Sequence, residues 1–415
     1  MAVCYTITNK NQEVGNMEHV IPTDRRGTDC FKWDLQDREF IDAGMKEAAR
    51  QAIPMWIADM DFKAPAEVEE ALLKVVRHGA YGYTGRTDDF FEVMECWLLK
   101  RHGFKVERDW LDFSPGVLPG ISACVNAFTQ PGDKIVIQTP VYYPFYHIVK
   151  NNGRQLVENK LLHDDVQYRM DFADLEEKAS DPQTKMLILC SPHNPVGRVW
   201  TRKELSRVSE ICRAHHVMVV SDEIHSDLIL GENRHLPFGC VDHMEKPNSV
   251  MFYAPSKTFN LAGLQTSVAV IPDPEIHAAY RAALRRNQTY SATRFGIEAF
   301  KAAYRFGEPY LEELLTLLKG NYMYVKNYLE KFLPEIRLAP LEGTYLVWMD
   351  FRECGIPAEK LNEFLIKKAK IMLDYGSWFG SDYDGFARMN IACPQTTIQT
   401  ALEQLRDAME SVRKS

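Results

Sequence analysis

The sequence lacks the features that mark several common protein classes. None of its nine cysteines belongs to a CxxC pair, and their odd number in a chain of 415 residues argues against a disulfide framework or a zinc module. No stretch approaches the roughly 18 consecutive apolar residues that a membrane-spanning helix needs. The first 16 residues contain no apolar segment of the secretory type. We therefore expect a cytoplasmic protein.

The chain also lacks a long basic run, internal repeats, low-complexity tracts and Pro/Gly/Ser-rich linkers. Its 49 Lys and Arg residues face 57 Asp and Glu residues, so the formal net charge is −8, which makes nucleic-acid binding improbable. Apolar residues make up 46% and charged residues 26%, as in ordinary globular proteins. Disordered, collagen-like and coiled-coil classes are thereby excluded, and the length predicts two or three domains.

In the middle of the chain, apolar β-branched runs alternate with amphipathic helical stretches. The runs are apolar throughout and do not alternate with polar residues, which is typical of strands buried on both faces in a mainly parallel sheet. A capping box at Thr201–Glu204 predicts a helix between two of these runs, so the pattern indicates βαβ units and an α/β domain. The predicted strands are 134–138, 186–190, 217–220, 250–253 and 267–271.

The flanking regions predict further elements. One helix is expected from Pro65, and another over 396–413. The stretch from Leu338 to the end combines a predicted strand at 344–349 with a helix at 357–372. It resembles a separate, smaller α+β unit.

Polar and aromatic residues directly follow the predicted central strands. In open α/β sheets, ligands bind beyond the carboxyl ends of the strands, so these side chains should converge on one crevice. Upstream, Gly116 precedes a helical run, 121–128, whose first amides could bind a phosphate. The residues after the strands are Tyr142 and Tyr143, Asn194, Asp222 with His225, and Ser256 with Lys257.

Taken singly, each of these residues has a structural explanation. Asn194 could stabilise a turn through its own backbone, and Asp222 could cap the next segment. Lys257 could be a solvated surface lysine, and His225 a buried structural histidine. Together, however, they form the set that one cofactor, pyridoxal 5′-phosphate, requires.

The chemistry of that cofactor explains each residue type. A lysine amine condenses with the aldehyde, and a carboxylate keeps the pyridine nitrogen protonated. An amide hydrogen-bonds the phenolate oxygen, an aromatic ring stacks on the cofactor, and a helix start holds the phosphate. Near the other end of the chain, Arg388 lies in an apolar context, and a guanidinium matches the α-carboxylate of an amino acid. Arg388 alone could equally be an ordinary ion-paired residue.

In this order and with these neighbours, Asn194, Asp222, Lys257 and Arg388 resemble the fold-type I pyridoxal-phosphate enzymes, the aspartate aminotransferase superfamily. The resemblance covers nearly the whole chain. Several motifs look most like the cystathionine β-lyase/cystalysin subgroup of C–S lyases. These motifs are residues 56–62, 82–85, 191–198, 222–225 and 256–263.

The resemblance implies a role for each matching residue. Lys257 would be the Schiff-base lysine and the base that removes the Cα proton, and Asp222 would be the partner of the ring nitrogen. Asn194 would bind the phenolate oxygen and Arg388 the substrate carboxylate. Tyr142 would stack on the ring, and Tyr142, Tyr143 or Tyr83 would assist proton movement. The further cofactor-binding residues would be Gly116, Val117, Leu118, His225, Ser256 and, from a neighbouring subunit, Tyr83, whereas Tyr143 and Asn194 would also contact the substrate.

Three positions depart from the wider superfamily. Gln265 stands where an arginine commonly assists the phosphate, His225 where a tyrosine commonly shares the phenolate oxygen, and Ala254 where a serine is frequent. The subgroup tolerates the same changes, so they favour a C–S lyase over a typical aminotransferase.

The resemblance implies α,β-elimination of cystathionine, cysteine or related thioether amino acids to pyruvate, ammonia and a thiol. The alternative is an aminotransferase, which shares the removal of the Cα proton, and a less favoured possibility is an added role in binding a transcription regulator. The expected fold is α/β: a large domain at 60–305 holds a mainly parallel, seven-stranded-type sheet, and a smaller α+β domain combines 1–59 with 306–415. A homodimer is expected, because Tyr83 could serve the phosphate only from a partner chain. No metal site, nucleic acid or membrane contact is expected.

Overall fold

The strands predicted in the middle of the chain form one twisted sheet in the computed structural model, which describes residues 17–34, 41, 43–164, 166–242 and 245–413. Cys4 and the first 16 residues, on which the secretory argument rested, lie outside the described residues. The strands, in chain order, are β1 (Ile53–Pro54), β2 (Leu111–Ser114), β3 (Lys134–Ile137), β4 (Gln155–Glu158), β5 (Leu162–Asp164), β6 (Gln167–Arg169), β7 (Thr184–Cys190), β8 (Met218–Asp222), β9 (Ser249–Tyr253), β10 (Ser267–Val270), β11 (Arg337–Leu338), β12 (Leu346–Asp350), β13 (Ile371–Met372), β14 (Asp374–Tyr375) and β15 (Phe386–Asn390).

Helices flank this sheet and build the rest of the chain. The capping box predicted at Thr201 and Glu204 is confirmed at the start of the helix between β7 and β8. The helices are α1 (Phe31–Asp34), α2 (Lys46–Gln51), α3 (Ala66–His78), α4 (Asp88–His102), α5 (Val117–Phe128), α6 (Pro144–Asn151), α7 (Phe172–Ser180), α8 (Arg202–Ala214), α9 (Pro255–Thr258), α10 (Pro274–Arg286), α11 (Arg294–Phe306), α12 (Glu308–Phe332), α13 (Leu361–Lys367) and α14 (Gln395–Arg413).

The central sheet has seven strands in the order β2-β10-β9-β8-β7-β3-β4. Neighbouring strands from β9 to β4 are parallel, and β10 runs antiparallel to both β9 and β2. Successive residues of β7 fall into two separate apolar cores, since Leu187 and Leu189 pack on one face and Met186 and Ile188 on the other. The α/β fold with a covered, mainly parallel sheet is therefore confirmed, and burying each such side chain contributes about 1.5–3 kcal/mol.

A second, antiparallel sheet lies in the C-terminal part of the chain, with strand order β11-β12-β15-β14. Its registers place Arg388 of β15 between Trp348 of β12 and Asp374 of β14. The short parallel pair of β1 and β13 joins the N-terminal segment to this region, with Ile53 opposite Ile371. None of the described helices is long and apolar enough to cross a membrane.

The structure corrects three predicted element boundaries. The helix expected over 357–372 has other bounds: a 3-10 turn over Ala358–Lys360 precedes α13, which begins at Leu361 and stops at Lys367. Lys370 adopts a positive φ of 52°, after which Ile371 begins a buried strand. The strand expected from Thr344 begins two residues later, because Thr344 has a φ of 72°. The run 121–128 begins earlier, at Val117, since a proline is tolerated in the first turn of a helix.

Candidate active site

The candidate site lies where the carboxyl ends of β3, β7, β8 and β9 meet the four-stranded sheet. One hydrogen bond joins the two sheets directly: Nη1 of Arg388 on β15 donates to Oδ1 of Asn194, in the turn after β7, over 2.8 Å. Arg388 is 2% exposed and Asn194 is 3% exposed, so the junction is buried. The sequence order of the two residues gave no sign of their direct contact.

Lys257 lies in the short helix α9, directly after β9. Its Nζ donates to the carbonyl oxygen of Ala58 over 2.6 Å, and the hydroxyl of Tyr345 donates to the same oxygen over 3.0 Å. Burial lowers the pKa of Lys257 to about 8, and the nearby charge of Arg388 acts in the same direction. Lys257 is therefore not the solvated surface lysine that one structural explanation offered, and a neutral amine is accessible near neutral pH.

Asp222 ends β8 and is 4% exposed. One oxygen, Oδ1, accepts a hydrogen bond from the backbone N–H of Ile224 over 3.1 Å. Burial raises the pKa of Asp222 to about 7, against the opposing effects of that N–H and of the Lys257 charge. Among the described residues no ion pair stabilises this carboxylate, which is unusual for a buried charge.

Arg388 makes an ion pair with Asp374, its cross-strand neighbour. Its Nη2 also donates to the carbonyl oxygen of Trp56 over 3.2 Å, and its guanidinium lies 4.9 Å from the centre of the Phe379 ring. The alternative that Arg388 is ion-paired is thus correct as geometry. Since Nε has no partner within the described ranges, however, the guanidinium retains donor capacity.

The two tyrosines after β3 line the same region. The backbone N–H of Tyr142 donates to the carbonyl of Asn194 over 3.1 Å, which ties the two turns together. The Tyr143 ring packs edge-on against Trp378 at 5.7 Å. Burial raises the pKa of Tyr143 to about 12 and raises that of Tyr142 as well, so both phenols stay protonated at neutral pH.

His225 is 3% exposed, and its Nδ1 has no hydrogen-bond partner among the residues that the structure describes. Burial holds its pKa well below the usual value, and the charges of Lys257 and Arg388 act in the same direction. The imidazole is therefore neutral. It offers an unsatisfied polar atom near the lysine and the arginine.

The start of α5 packs beside the site, because Val117 shares an apolar cluster with Tyr142 and with Ala254, the residue before α9. Gly116 has a φ of 124°, a conformation that favours glycine, and its carbonyl accepts a hydrogen bond from Oγ of Ser114 over 2.7 Å. No side chain caps α5, so the amides of its first turn, which includes Val117 and Leu118, keep the free donors of a helix start. Ser256 lies in the first turn of α9, one residue before Lys257.

Tyr83 is the predicted site residue that the structure does not bring to the others. Its side chain is fully exposed, and no hydrogen bond or ring contact ties it to the described part of the chain. Gln265, at the position of the expected superfamily arginine, adopts a φ of 46° after a short 3-10 turn.

Sequence reasoning missed Asp374 and the carbonyl oxygens of Trp56 and Ala58. Asp374 interrupts an apolar run, 371–375, which was a usable signal, because a charge within a buried strand needs a partner. The two carbonyls belong to the backbone, so the residue types at positions 56 and 58 do not reveal their roles. They lie within the recognised motif 56–62, to which no role had been given.

A comparison with protein families matches the family described as aminotransferase class I and II over residues 59–405. Cystathionine beta-lyase PatB of Bacillus subtilis is 42% identical over 93% of this chain and 98% of that protein. Protein MalY of Escherichia coli is 31% identical over 94% of this chain and 98% of its own length. Among solved structures, cystalysin of Treponema denticola, which contains pyridoxal 5′-phosphate, superposes with a TM-score of 0.88 and 36% identity over 95% of this chain and 100% of that one.

Proposed function

Because the chain belongs to the aminotransferase class I and II family, we propose that it is a pyridoxal-phosphate-dependent carbon–sulfur β-lyase. Its substrates would be cystathionine, cysteine or related thioether amino acids. Overall, substrate and water give a thiol, pyruvate and ammonia. The observation that carries the proposal is the convergence of the half-buried Lys257 with the buried Asp222, Asn194 and Arg388, in a chain 42% identical to a cystathionine β-lyase.

The residues present fit the cofactor. Asp222 is a buried carboxylate without an ion-pair partner in the described part of the chain, and a protonated ring nitrogen would supply one. The uncapped start of α5 at Gly116, together with Ser256, suits a phosphate group. Asn194 and the orphan Nδ1 of His225 offer polar atoms for the ring oxygen. Lys257 would be the covalent attachment point.

When bound, the cofactor supplies an aldehyde that takes up the substrate amine and a ring that accepts the electron pair left at Cα. Lys257 Nζ, whose lowered pKa makes the neutral amine accessible, would remove the Cα proton. Arg388 would orient the substrate through its carboxylate. Tyr142 and Tyr143 remain protonated, so either could give a proton to the departing sulfur.

Replacing Lys257 tests the proposal directly. A Lys257→Ala variant should lose at least about 1,000-fold in pyruvate release from cystathionine, because both the attachment point and the base are removed. It should also lose the absorbance band near about 420 nm that borohydride abolishes in the wild type. Lys203→Ala, which removes an exposed lysine on α8, is the control and should match the wild type. Retention of more than a few per cent of the activity would contradict the role of Lys257.

An aminotransferase remains the second candidate, since the same residues would serve every step up to proton removal. The departures at Gln265 and His225 favour the lyase. Incubation with cystathionine in the absence of any keto acid separates the two activities. Continuous release of pyruvate and thiol supports a lyase, whereas a single turnover that then stops supports an aminotransferase.

The active assembly would be a homodimer in which Tyr83 reaches the phosphate of the neighbouring subunit. The full exposure of Tyr83 in a single chain supports this arrangement. Each chain would comprise the domain 60–305 and a second domain from 1–59 and 306–415, in line with the two separate sheets. Sedimentation should show a dimer, and Tyr83→Phe should weaken cofactor affinity; a fully active monomer would contradict both expectations.

A cytoplasmic location is the last part of the proposal. The described cysteines are all free thiols, as expected of a protein in a reducing compartment. Fractionation of the source cells should recover the protein with the cytoplasmic enzymes.

A further inference from the structure

Both N–H groups of Arg388 Nη2 are already bound by other residues of the chain. A guanidinium has five N–H donors, and three are in use: one from Nη1 to Asn194, and two from Nη2, to the Trp56 carbonyl and to Oδ2 of Asp374. Two N–H groups are left without a partner among the described residues: that of Nε and the second one of Nη1. A guanidinium can grip a carboxylate with two parallel bonds on two edges, Nε with Nη2 or Nη1 with Nη2, and each edge needs a hydrogen of Nη2. A bidentate substrate carboxylate therefore has to displace one of the two Nη2 partners.

Charge determines which of the two partners of Arg388 Nη2 the substrate carboxylate displaces. The Trp56 carbonyl is neutral, whereas Asp374 is a carboxylate that a second carboxylate on the same guanidinium repels. Only one carboxylate oxygen of Asp374 is hydrogen-bonded: Oδ1 is buried without a hydrogen bond to any described residue, and the residue is 1% exposed. Its position is fixed by the antiparallel register of β14 and β15, which places it directly opposite Arg388.

We propose that Asp374 is a built-in competitor for the substrate carboxylate: it holds Arg388 before substrate binds, and it releases the guanidinium by taking up a proton. The inference rests on the proposed function, since it takes Arg388 as the carboxylate-binding residue. It makes Asp374 a determinant of substrate affinity.

The surroundings of Asp374 support a proton-linked exchange. Burial raises its pKa to about 6, although the charges of Arg388 and Lys257 oppose that rise. Tyr142 and Tyr143 also face this carboxylate, and both stay protonated in the relevant range. A substrate carboxylate adds a like charge, so it raises the pKa of Asp374 further. Binding should therefore be tightest near or below about pH 6 and weaken at higher pH.

The test uses the holoenzyme and 3-(methylsulfanyl)propanoate, a thioether acid that lacks the amine and cannot react. Calorimetry in two buffers of different ionisation enthalpy gives its Kd and the number of protons taken up. In the wild type, Kd should rise by up to about tenfold per pH unit above about pH 6, with uptake approaching about one proton. In Asp374→Asn, binding at about pH 7.5 should be stronger than in the wild type and vary less than about twofold with pH.

Asp350→Asn is the matched control. Asp350 is another buried strand aspartate that pairs with an arginine, Arg352, at 2.8 Å, and it ends β12, the strand on the other side of β15. This variant should keep the wild-type pH dependence, because its carboxylate does not contact Arg388.

Two results would overturn the inference. Weaker binding by Asp374→Asn at every pH would show that Asp374 only supports Arg388, and a wild-type Kd without pH dependence would exclude proton-linked release. The second result needs no variant, so the inference stays testable if Asp374→Asn does not fold. Failure of the lyase proposal is distinguishable: a holoenzyme that shows the proton linkage but releases no pyruvate loses the lyase assignment and keeps the role of Asp374.

Discussion

Asp222 and Glu223 are neighbours at the end of β8, but their carboxylates differ in how many hydrogen bonds they accept. Because successive side chains of an extended strand point to opposite faces, Asp222 faces the site and Glu223 faces the core behind it. Asp222 accepts one hydrogen bond, from the N–H of Ile224. Glu223, fully buried, accepts four, from Ser221 Oγ, His235 Nε2, Phe238 N and the Tyr253 hydroxyl, at 2.5 to 2.9 Å.

A second buried carboxylate behind the site, that of Asp227, also has several hydrogen-bond donors. Asp227 accepts hydrogen bonds from Trp97, His102 and Thr258, and Thr258 is the residue next to Lys257. We call Glu223, Asp227, His102, His235 and Tyr253 the rear cluster. Although burial opposes it, the hydrogen bonds led by that of His102 hold the pKa of Asp227 below its usual value, whereas burial raises the pKa of Asp222 to about 7.

The difference shows how this fold separates stability from chemistry. A buried carboxylate with all its hydrogen bonds made is a fixed structural part, and its removal leaves its donors unsatisfied. A buried carboxylate that lacks partners destabilises the chain alone, and it is available to a ligand that carries the missing charge. Variants on the two sides should therefore affect different measurements.

We call Asp222 and the other residues that face the site the front side, in contrast to the rear cluster. The largest effect on activity is expected from a change of Asp222. Asp222→Asn should lower the rate of pyruvate release by about 1,000-fold or more, because the amide cannot hold a proton on the ring nitrogen. The folded chain should remain at least as stable as the wild type, since an unpaired buried charge is removed. A variant with unchanged turnover, measured by steady-state kinetics, would break the comparison.

The same variant gives a pH prediction for the cofactor-free chain. Asp222 binds its proton more tightly when folded than when unfolded, so the wild type should lose roughly 2–4 kcal/mol of stability as pH rises from about 4 to about 7. Asp222→Asn should lose less over this range. Part of the slope will remain, because the pKa of Asp374 is also raised. Urea denaturation at several pH values measures the free energy of unfolding of both proteins. An identical pH dependence in the wild type and the variant would contradict the raised pKa of Asp222.

On the rear side, Glu223→Gln should act in the opposite way. The amide cannot accept all four hydrogen bonds, so we expect the free energy of unfolding to fall by about 2–4 kcal/mol. The turnover of the folded, cofactor-loaded enzyme should stay within about threefold of the wild type. A loss of turnover comparable to that of Asp222→Asn, with stability intact, would place Glu223 in the chemistry and remove the distinction.

Sequence alone predicts the front side better than the rear. Lys257 and Asn194 follow strands and Asp222 ends one, and parallel strands bring their carboxyl ends to one edge, so the convergence follows from the strand order. Asp374 depends on the register of β14 against β15, and the Ala58 carbonyl has no side-chain signal. Neither can be derived from residue identity.

The rear cluster was invisible in the sequence for another reason. His102 lies at the end of α4, far along the chain from Asp227, and their pairing depends on how that helix packs. The helix predicted over 357–372 exists but ends early for a similar reason, since a positive φ at Lys370 and pairing of Ile371 with β1 override the helical apolar pattern beyond Lys367. The role proposed for Tyr83 would depend on a second chain, which one sequence does not describe.

A substitution of Gly120 tests the contact between the site-facing residues and the rear cluster. It lies in α5, which presents its free amides to the site, and a Cβ there would lie 2.3 Å from Phe252 Cε1 and 2.5 Å from Ser114 Oγ. The carbonyl of Phe252 accepts a hydrogen bond from the N–H of Glu223. A displacement of Phe252 by the added Cβ would therefore affect the rear cluster as well as the site. Gly120→Ala should cost about 1–3 kcal/mol of stability and weaken cofactor affinity.

Gly263→Ala is the control, because nothing lies within 4 Å of its added Cβ. It should leave both thermal unfolding and cofactor titration unchanged. If Gly120→Ala altered stability but not cofactor affinity, α5 would belong to the rear side alone.

The smallest expected effect concerns one hydroxyl. Tyr253→Phe removes the donor that lies 2.5 Å from Glu223 Oε2 and leaves three others, so we expect a loss of about 1–2 kcal/mol and turnover within about twofold. Tyr310→Phe is the matched control, because the Tyr310 hydroxyl is buried without a partner and its removal should be neutral or stabilising. Equal losses in the two variants would mean that burial of the ring, and not the bond to Glu223, sets the effect; the rear cluster would then owe its stability to packing.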